Sequence, residues 1–273
     1  MLNLLAWSHP SEVALQTRVS MAALLALVLA AANALGNPRD GWRYWAREFL
    51  PVPVLPFIYL NLRHVIPVVN PRILDEVLLN ADRVLLGSRL QTAVYTVPLP
   101  AVLTELLTLA YASFFFLPIA LLIAMGMRRD PALPQVVSAI LFTFLVSYVG
   151  YFIIPAYGPK ATVSTEHYLA LEPGLVGGWV RNLLEQWGKT KTDVFPSGHT
   201  MVTLAVLFCT RRRAPVLFRV MLPVGVLLIA ATVLLTFHYV IDLVVAVPLT
   251  VFTLATSARF AGPVPPRLPS AES

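Results

Sequence analysis

Long stretches without a charged residue constrain this chain more than any other feature of its sequence. A helix needs about 20 apolar residues to cross the roughly 30 Å of hydrocarbon in a bilayer. Five stretches approach or reach that length without charge, and a sixth does so with only Asp242 near its start. The sequence therefore predicts an all-α integral membrane protein with a bundle of six transmembrane helices. The six stretches are 19–35, 106–127, 134–154, 194–210, 220–237 and 239–258.

Composition excludes the main alternatives to a membrane protein. Apolar residues make up 58% of the chain and charged residues 12%, which leaves too little polar surface for an ordinary soluble domain. The net charge of +6 does not indicate nucleic acid as a partner, because arginines at the ends of membrane spans commonly anchor them at anionic headgroups. The single cysteine, Cys209, excludes an intrachain disulfide.

The region between the first two stretches is predicted to lie at the membrane interface. Residues 50–62 are uncharged, but Pro51, Pro53 and Pro56 would interrupt helical hydrogen bonding, so we expect an interfacial or re-entrant segment. Residues 63–89 carry apolar side chains at helical spacing and predict an amphipathic helix in the headgroup layer. The predicted division is 1–101 for the N-terminal span and interfacial region, 102–260 for the transmembrane core and 261–273 for a disordered tail.

Basic residues in the short connections predict the orientation of the bundle. With six spans, three arginine clusters fall on one side of the membrane, and lysine and arginine mark the cytoplasmic side. The opposite side, which holds residues 155–193 and His238, is predicted to face outward. The clusters consist of Arg128 and Arg129, of Arg211, Arg212 and Arg213, and of Arg259.

The segment F-P-S-G-H-T at 195–200 has the composition of a helix start that binds an anion. Proline is tolerated in a first turn, serine is a preferred cap, and glycine lets the backbone approach a ligand. The first N–H groups of a helix lack intrahelical partners and carry partial positive charge, so they bind phosphate. His199 would stand beside that anion, placed to protonate a leaving oxygen.

A second histidine, His238, begins the segment H-Y-V-I-D and is followed four positions later by Asp242. On a helix these two side chains share one face and can meet. The carboxylate would then hold the Nδ1 proton and leave Nε2 as a free lone pair, which a nucleophilic histidine requires. A buried ion pair without catalytic function is the simpler alternative, but it gives no reason for a second histidine on the same side.

Lys160 ends the segment Y-F-I-I-P-A-Y-G-P-K at 151–160. Two prolines in this segment end the third span, so Lys160 is the first cation on the side of the histidines. It could neutralise a phosphate oxygen, or it could be a lysine that snorkels at a helix end. Tyr157 and Tyr239 flank the candidate site, and either could donate a hydrogen bond to a substrate.

The three segments resemble the three signature motifs of the type 2 phosphatidic acid phosphatase (PAP2) superfamily over residues 150–246. Within it they are most similar to the branch of inositol phosphorylceramide synthases and sphingomyelin synthases, with their bacterial relatives described as phosphatases. Segments at 59–67, 80–87 and 103–111 are similar to the region before the core in those relatives. The resemblance implies a six-helix bundle of the PAP2 type in which residues 102–260 form the catalytic core.

The resemblance also implies a mechanism. His238 would attack phosphorus and form a phosphohistidine, with Asp242 orienting it, and His199 would act first as general acid and then as general base. Ser197 and Gly198 would hold phosphate oxygens. No cofactor and no metal are implied. The implied partners are the membrane and a lipid phosphate or phospholipid substrate, and the implied location is a bacterial inner membrane with the active site facing the periplasm.

Two departures from the PAP2 pattern leave a bound phosphate with fewer cations. Ala231 and Thr232 stand where the phosphatase branch has Ser-Arg. Lys160 stands where an arginine is often found, and the Arg-Pro pair that follows in that branch is missing. The missing arginine favours the synthase-like branch. The cations that could compensate are Lys189, Lys191 and Arg181.

Several alternatives stay open at this level. Water and an alcohol are both compatible acceptors, so a phospholipid headgroup transferase is the alternative to a lipid phosphate phosphatase. His199, His238 and Asp242 could instead form a metal site of two histidines and one carboxylate, which chelators would disable. A non-enzymatic lipid transporter with a buried proton relay is a further reading, although the chain has no inverted repeat. The identity of the lipid and the oligomeric state stay open.

Overall fold

The computed structural model describes residues 5–6, 8, 13–36, 41–188 and 190–260. Within these residues the chain is helical and contains no β-strand, which confirms the all-α prediction. The predicted tail at 261–273 and Lys189 lie outside the described residues. In chain order the helices are α1 Leu15–Leu35, α2 Gly41–Phe49, α3 Pro51–Val69, α4 Asp75–Leu86, α5 Ser88–Thr96, α6 Ala101–Ala112, α7 Phe116–Met127, α8 Leu133–Ile153, α9 Pro159–Thr162, α10 Thr165–Ala170, α11 Leu175–Trp187, α12 Gly198–Arg213, α13 Pro215–Leu234 and α14 Val240–Phe260.

Six helical segments of the described chain are long and apolar enough to cross a membrane. They are α1, the pair of α2 and α3, the pair of α6 and α7, α8, α13 and most of α14. The predicted stretch at 194–210 corresponds to α12, which starts later and has 16 residues, or about 24 Å. Five of the six predicted spans thus recur among the candidate spans of the described chain, and the pair of α2 and α3 is the sixth in place of α12.

The prolines of residues 50–62 do not interrupt a helix, so the expected break in helical hydrogen bonding is wrong, whereas the interfacial or re-entrant placement stays a prediction. α3 runs continuously through Pro51–Val69. Pro51 and Pro53 lie in its first turn, where a missing N–H loses no hydrogen bond, and Pro56 and Pro67 are accommodated inside it. Together, α2 and α3 extend over 29 residues with the hydropathy of a membrane span. The segment is therefore a regular helix and not an irregular loop.

α12 lies at the centre of the bundle. It packs against α7, α8, α13 and α14. Met201, Val202, Ala205 and Val206 on this helix have no exposed surface. Because neighbouring helices cover α12 on several sides, its first turn, which carries His199, is held in a fixed position at one end of the bundle.

Two of the three arginine clusters meet at the opposite end of the bundle. Arg213 Nη1 lies 3.5 Å from Asp130 Oδ1 in an ion pair, and Arg128 Nη1 donates to the carbonyl oxygen of Arg213 at 3.4 Å. His199 lies at the start of α12, and Arg213 ends it. The arginines and His199 therefore lie at different ends, as the sequence predicts. Which end faces outward stays a prediction.

α4 is the amphipathic helix that the sequence predicts, but its inward face is not purely apolar. Leu78 is buried, whereas Val77 and Val84 are exposed. Asp75 and Asp82 are also buried, and α4 packs against α14. The helix therefore contacts the core of the protein in addition to any contact with the headgroup layer.

Candidate active site

Two histidines that are far apart in the sequence come together at one end of the bundle. The ring centroids of His199 and His238 are 5.6 Å apart, and the two ring planes are inclined at 63°. His199 lies in the first turn of α12, and His238 lies in the turn between α13 and α14. That turn is tight because the N–H groups of Phe237 and His238 both donate to the carbonyl oxygen of Thr232, at 3.0 and 2.8 Å. The spacing leaves the two imidazoles able to flank one tetrahedral oxyanion.

Aromatic side chains hold the His199 ring. Tyr111 stacks on it with centroids 4.5 Å apart, and Phe114 lies 4.3 Å away on a tilted ring. Tyr111 also stacks on Phe237, next to His238. Tyr111 and Phe114 were not predicted from the sequence as site residues. Their spacing of three positions, which places them on one helix face, is the signal that could have identified them.

His238 and Asp242 are brought together as their spacing predicts. His238 Nδ1 lies 3.4 Å from Asp242 Oδ2, which is within the range of an ion pair. This contact is not a hydrogen bond, and Asp242 Oδ2 accepts instead from the N–H of Tyr239 at 2.8 Å. Among the described residues, His238 Nδ1 and Asp242 Oδ1 have no hydrogen-bond partner. A small rotation of either side chain would form the predicted dyad.

Asp193 is a second carboxylate at the site, and it was not predicted from the sequence as a site residue. Its Oδ2 accepts a hydrogen bond of 2.6 Å from the hydroxyl of Tyr59 on α3. Burial raises the pKa of Asp193, while the Tyr59 hydrogen bond, His238 and Lys160 lower it. Burial lowers the pKa of His238 to about 4, and Asp193 opposes that shift. His238 is therefore a neutral imidazole near pH 7, with a carboxylate in its neighbourhood.

Lys160 lies beside the turn that carries His238. Its N–H donates to the carbonyl oxygen of Thr236 at 2.9 Å, and its Nζ lies 4.6 Å from the ring centroid of Phe237. Gly158 makes this approach feasible, because its φ is +88° and a Cβ there would lie 2.6 Å from the Phe237 carbonyl oxygen. Burial lowers the pKa of Lys160, and Asp193 and Glu185 oppose this.

The other candidate cations differ from Lys160 in their surroundings. Lys191 is exposed, and its charge is near enough to contribute to the lowered pKa of Lys160. Arg181 donates from Nη1 to the carbonyl oxygen of Leu171 at 2.6 Å and lies over the ring of Tyr168. Arg181 is thus engaged within the loop between α8 and α12. Lys160, in contrast, directly contacts the turn of His238 through Thr236 and Phe237.

Ser197 and Gly198 start α12, as the sequence predicts. Ser197 is the N-cap, and its Oγ accepts from the N–H of Thr200 at 3.2 Å. The hydroxyl is fully buried and therefore directed to its own helix. A Cβ on Gly198 would lie 2.5 Å from the hydroxyl oxygen of Tyr151, so this glycine is needed for packing against α8. Phosphate binding by these two residues stays a prediction.

The two tyrosines predicted to bind substrate have different environments. Tyr157 is 39% exposed. Tyr239 is fully buried, and its hydroxyl donates to Asp75 Oδ1 and also contacts Thr162 Oγ1, both at 2.9 Å. The Tyr239 hydroxyl is therefore already bonded within the protein, which differs from the expectation that it is available to a substrate.

The described residues contain no group of three His, Cys, Asp or Glu side chains that converge closely enough to hold a metal ion. The proposed metal ligands His199, His238 and Asp242 thus do not form such a group. What the site does offer is a neutral imidazole, a second imidazole beside it, a helix N-terminus and a lysine. In proteins generally, helix N-termini bind phosphate, and imidazoles act as nucleophiles and as general acids or bases.

Comparison with known proteins covers the same part of the chain. A model of the PAP2 superfamily matches residues 76–256, which is about two thirds of the chain. A PA-phosphatase related-family protein of Dictyostelium discoideum is 27% identical over 172 residues. That alignment covers 55% of this chain and 31% of the relative, so the chain matches about a third of the relative's length. No solved structure gives a significant match.

Proposed function

The chain belongs to the PAP2 superfamily, and on that premise we propose that it is a membrane enzyme that cleaves a lipid phosphoester through a phosphohistidine on His238. Family membership and the curated relative support a phosphatase-type enzyme that acts on lipid phosphates. The observation that carries the finer proposal is the convergence of His199 and His238, with ring centroids 5.6 Å apart, from two different helices.

In the first step His238 attacks phosphorus. Its Nδ1 faces Asp242 at 3.4 Å, so we assign the attack to Nε2. The Nε2–P bond forms while the ester P–O bond breaks, and His199 donates a proton to the leaving alcohol oxygen. Tyr111 and Phe114 pack on the His199 ring and hold it beside His238 for this step.

In the second step water replaces His238 on phosphorus. His199, neutral after the first step, accepts a proton from water while the water oxygen bonds to phosphorus and the N–P bond breaks. Inorganic phosphate leaves and both histidines return to their starting states. The net reaction is the hydrolysis of a phosphoester to an alcohol and phosphate.

Two groups would bind the phosphate oxygens. The first N–H groups of α12 lie next to His199, and Lys160 lies beside Phe237. The N-terminus of α14 is less suited to an anion, because Asp82 accepts from the N–H groups of Val240 and Ile241. Such fixed amides and cations stabilise the charge of the transition state without reorganisation. We place this end of the bundle on the outer face of the membrane, opposite the arginine clusters.

A phosphate-release assay tests the proposal. The purified protein in detergent, with EDTA present, is expected to release phosphate from phosphatidic acid or a polyprenyl phosphate without an added acceptor. Activity in EDTA would argue against the metal-site alternative. No phosphate release from any lipid phosphate would contradict a phosphatase.

A headgroup transferase is the second candidate, and the position of the missing arginine favours it. Ala231 and Thr232 are uncharged, so neither position offers a cation to a phosphate monoester, and both are fully buried. A phosphodiester carries less charge and needs fewer cations. Transfer of label from headgroup-labelled phosphatidylinositol or phosphatidylcholine to an added lipid alcohol, without phosphate release, would support this alternative over hydrolysis.

Replacing Asp242 by asparagine is expected to slow turnover by on the order of 10²-fold and to leave folding intact. An asparagine oxygen can still accept from the N–H of Tyr239, but it cannot stabilise an imidazole that becomes positive as His238 reacts. The measurement is kcat together with the thermal midpoint in detergent. Wild-type kcat in this variant would remove Asp242 from the mechanism.

A further inference from the structure

α4 carries two buried carboxylates that the proposed mechanism does not use. Asp75 and Asp82 are 6% and 0% exposed, and their spacing of seven residues places them on one face of the helix. Within the described part of the chain, neither has a basic side chain within ion-pair distance. A buried carboxylate needs strong compensation. The compensation comes from N–H and O–H groups of the loops that form the candidate active site.

Asp75 holds the loop that leads to Lys160. Its Oδ2 accepts from the N–H of Tyr157 at 2.9 Å, and its Oδ1 accepts from the N–H of Gly158 at 2.8 Å. The hydroxyl of Tyr239, the residue after His238, donates to the same Oδ1 at 2.9 Å. One carboxylate therefore joins the loop of Lys160 to the turn of His238.

Asp82 holds the residues that follow His238. Its Oδ1 accepts from the N–H of Ile241 at 2.7 Å, and its Oδ2 accepts from the N–H of Val240 at 3.0 Å. The hydroxyl of Tyr95 on α5 donates to Oδ2 as well. The carboxylate thus caps the first turn of α14 from outside that helix. Because a carboxylate near a helix N-terminus is stabilised by the helix dipole, this contact fixes both position and direction of the turn.

We propose that Asp75 and Asp82 are positioning residues for the phosphoryl transfer, and that α4 holds the nucleophile His238 and the cation Lys160 at a fixed relative position. The inference rests on the proposed function of that site. Neither carboxylate touches the substrate. Their effect passes through the backbone of the two loops, where a displacement of about 1 Å can reduce a rate by on the order of 10²-fold.

Asp82→Asn is the test, with Glu76→Gln as its matched control. The asparagine keeps the size of the side chain but has one acceptor oxygen for two N–H groups, so its NH₂ would face one of them. Glu76 lies on the exposed side of the same helix and undergoes the same change from carboxylate to amide. The full-length chain is assayed in detergent with phosphatidic acid, and inhibition by orthovanadate is measured as a mimic of the transition state.

For Asp82→Asn we expect kcat to fall by about 10- to 100-fold, the inhibition constant for vanadate to rise by about tenfold or more, and KM to change by less than about threefold. Glu76→Gln should match the wild type in all three quantities. Asp75→Asn should follow Asp82→Asn. A loss of folded protein alone would lower the apparent kcat and leave the vanadate constant unchanged, and that result would overturn the proposal, as would wild-type values.

Failure of the proposed function has a different signature. A wild-type protein without phosphate release or vanadate inhibition would reject the phosphoryl transfer itself, and the positioning role with it. If Asp82→Asn does not fold, Tyr95→Phe takes its place, since it removes a hydrogen bond to Asp82 and leaves the carboxylate. That variant should raise the vanadate constant by about threefold or more. An unchanged constant would overturn the proposal.

Discussion

Replacing His238 by alanine is expected to abolish phosphate release, with a loss on the order of 10⁴-fold or more. The proposed route forms a covalent bond to this side chain, so a variant without it has to rely on direct attack by water. No other imidazole lies at the same position, because His199 is held between Tyr111 and Phe114 with its ring 5.6 Å away. The measurement is kcat/KM with phosphatidic acid in detergent.

The control for this variant is His64→Ala. His64 is exposed on α3 and lies outside the candidate site, so its loss should leave kcat/KM unchanged. Thermal midpoints of both variants show whether the fold is retained after a buried imidazole is removed. Activity of His238→Ala within about tenfold of the wild type would show that this histidine is not the nucleophile.

Replacing His199 by alanine is expected to lower turnover of a lipid phosphate by about 10²- to 10⁴-fold. An alkoxide is a poor leaving group and depends on a proton from His199. With p-nitrophenyl phosphate the leaving group needs no proton. The rate of phosphohistidine formation, measured as kcat/KM, should therefore fall much less with this substrate. The measurement compares the fall in kcat/KM for the two substrates.

The comparison separates acid catalysis from a loss of structure. His199 fills a space between aromatic rings, so the alanine variant could also disturb packing. A general loss of structure would lower kcat/KM by the same factor for both substrates. Equal losses would therefore contradict the role of His199 as general acid, whereas a selective loss with the lipid phosphate supports it.

The sequence predicted those parts of the structure that depend on local patterns. Long apolar stretches predicted the bundle, since a span is defined by its length and hydropathy. The Ser197 cap predicted the start of α12, and the spacing of four residues predicted the approach of His238 to Asp242. In each case the residues that interact are neighbours along the chain.

The parts that the sequence did not predict depend on contacts between distant segments. Asp82 binds the N–H groups of Val240 and Ile241 from more than 150 positions away, and Tyr59 reaches Asp193 across 134 positions. Periodicity places Asp82 on a helix face but does not say what that face contacts. The continuous helix α3 was missed for another reason, because Pro51 and Pro53 fall in its first turn, where proline costs no hydrogen bond, and Pro56 is accommodated inside it.

The most direct test of the central claim is to trap the phosphohistidine. His199→Ala is mixed with ³²P-labelled p-nitrophenyl phosphate, quenched in base after short times and digested for peptide mapping. Because this variant lacks the base for the second step, label should accumulate on the peptide that contains His238, stable in base and labile in acid. The label should be absent when His238→Ala is added to the same variant. Release of p-nitrophenol without label on His238, or label on any other residue, would contradict the claim.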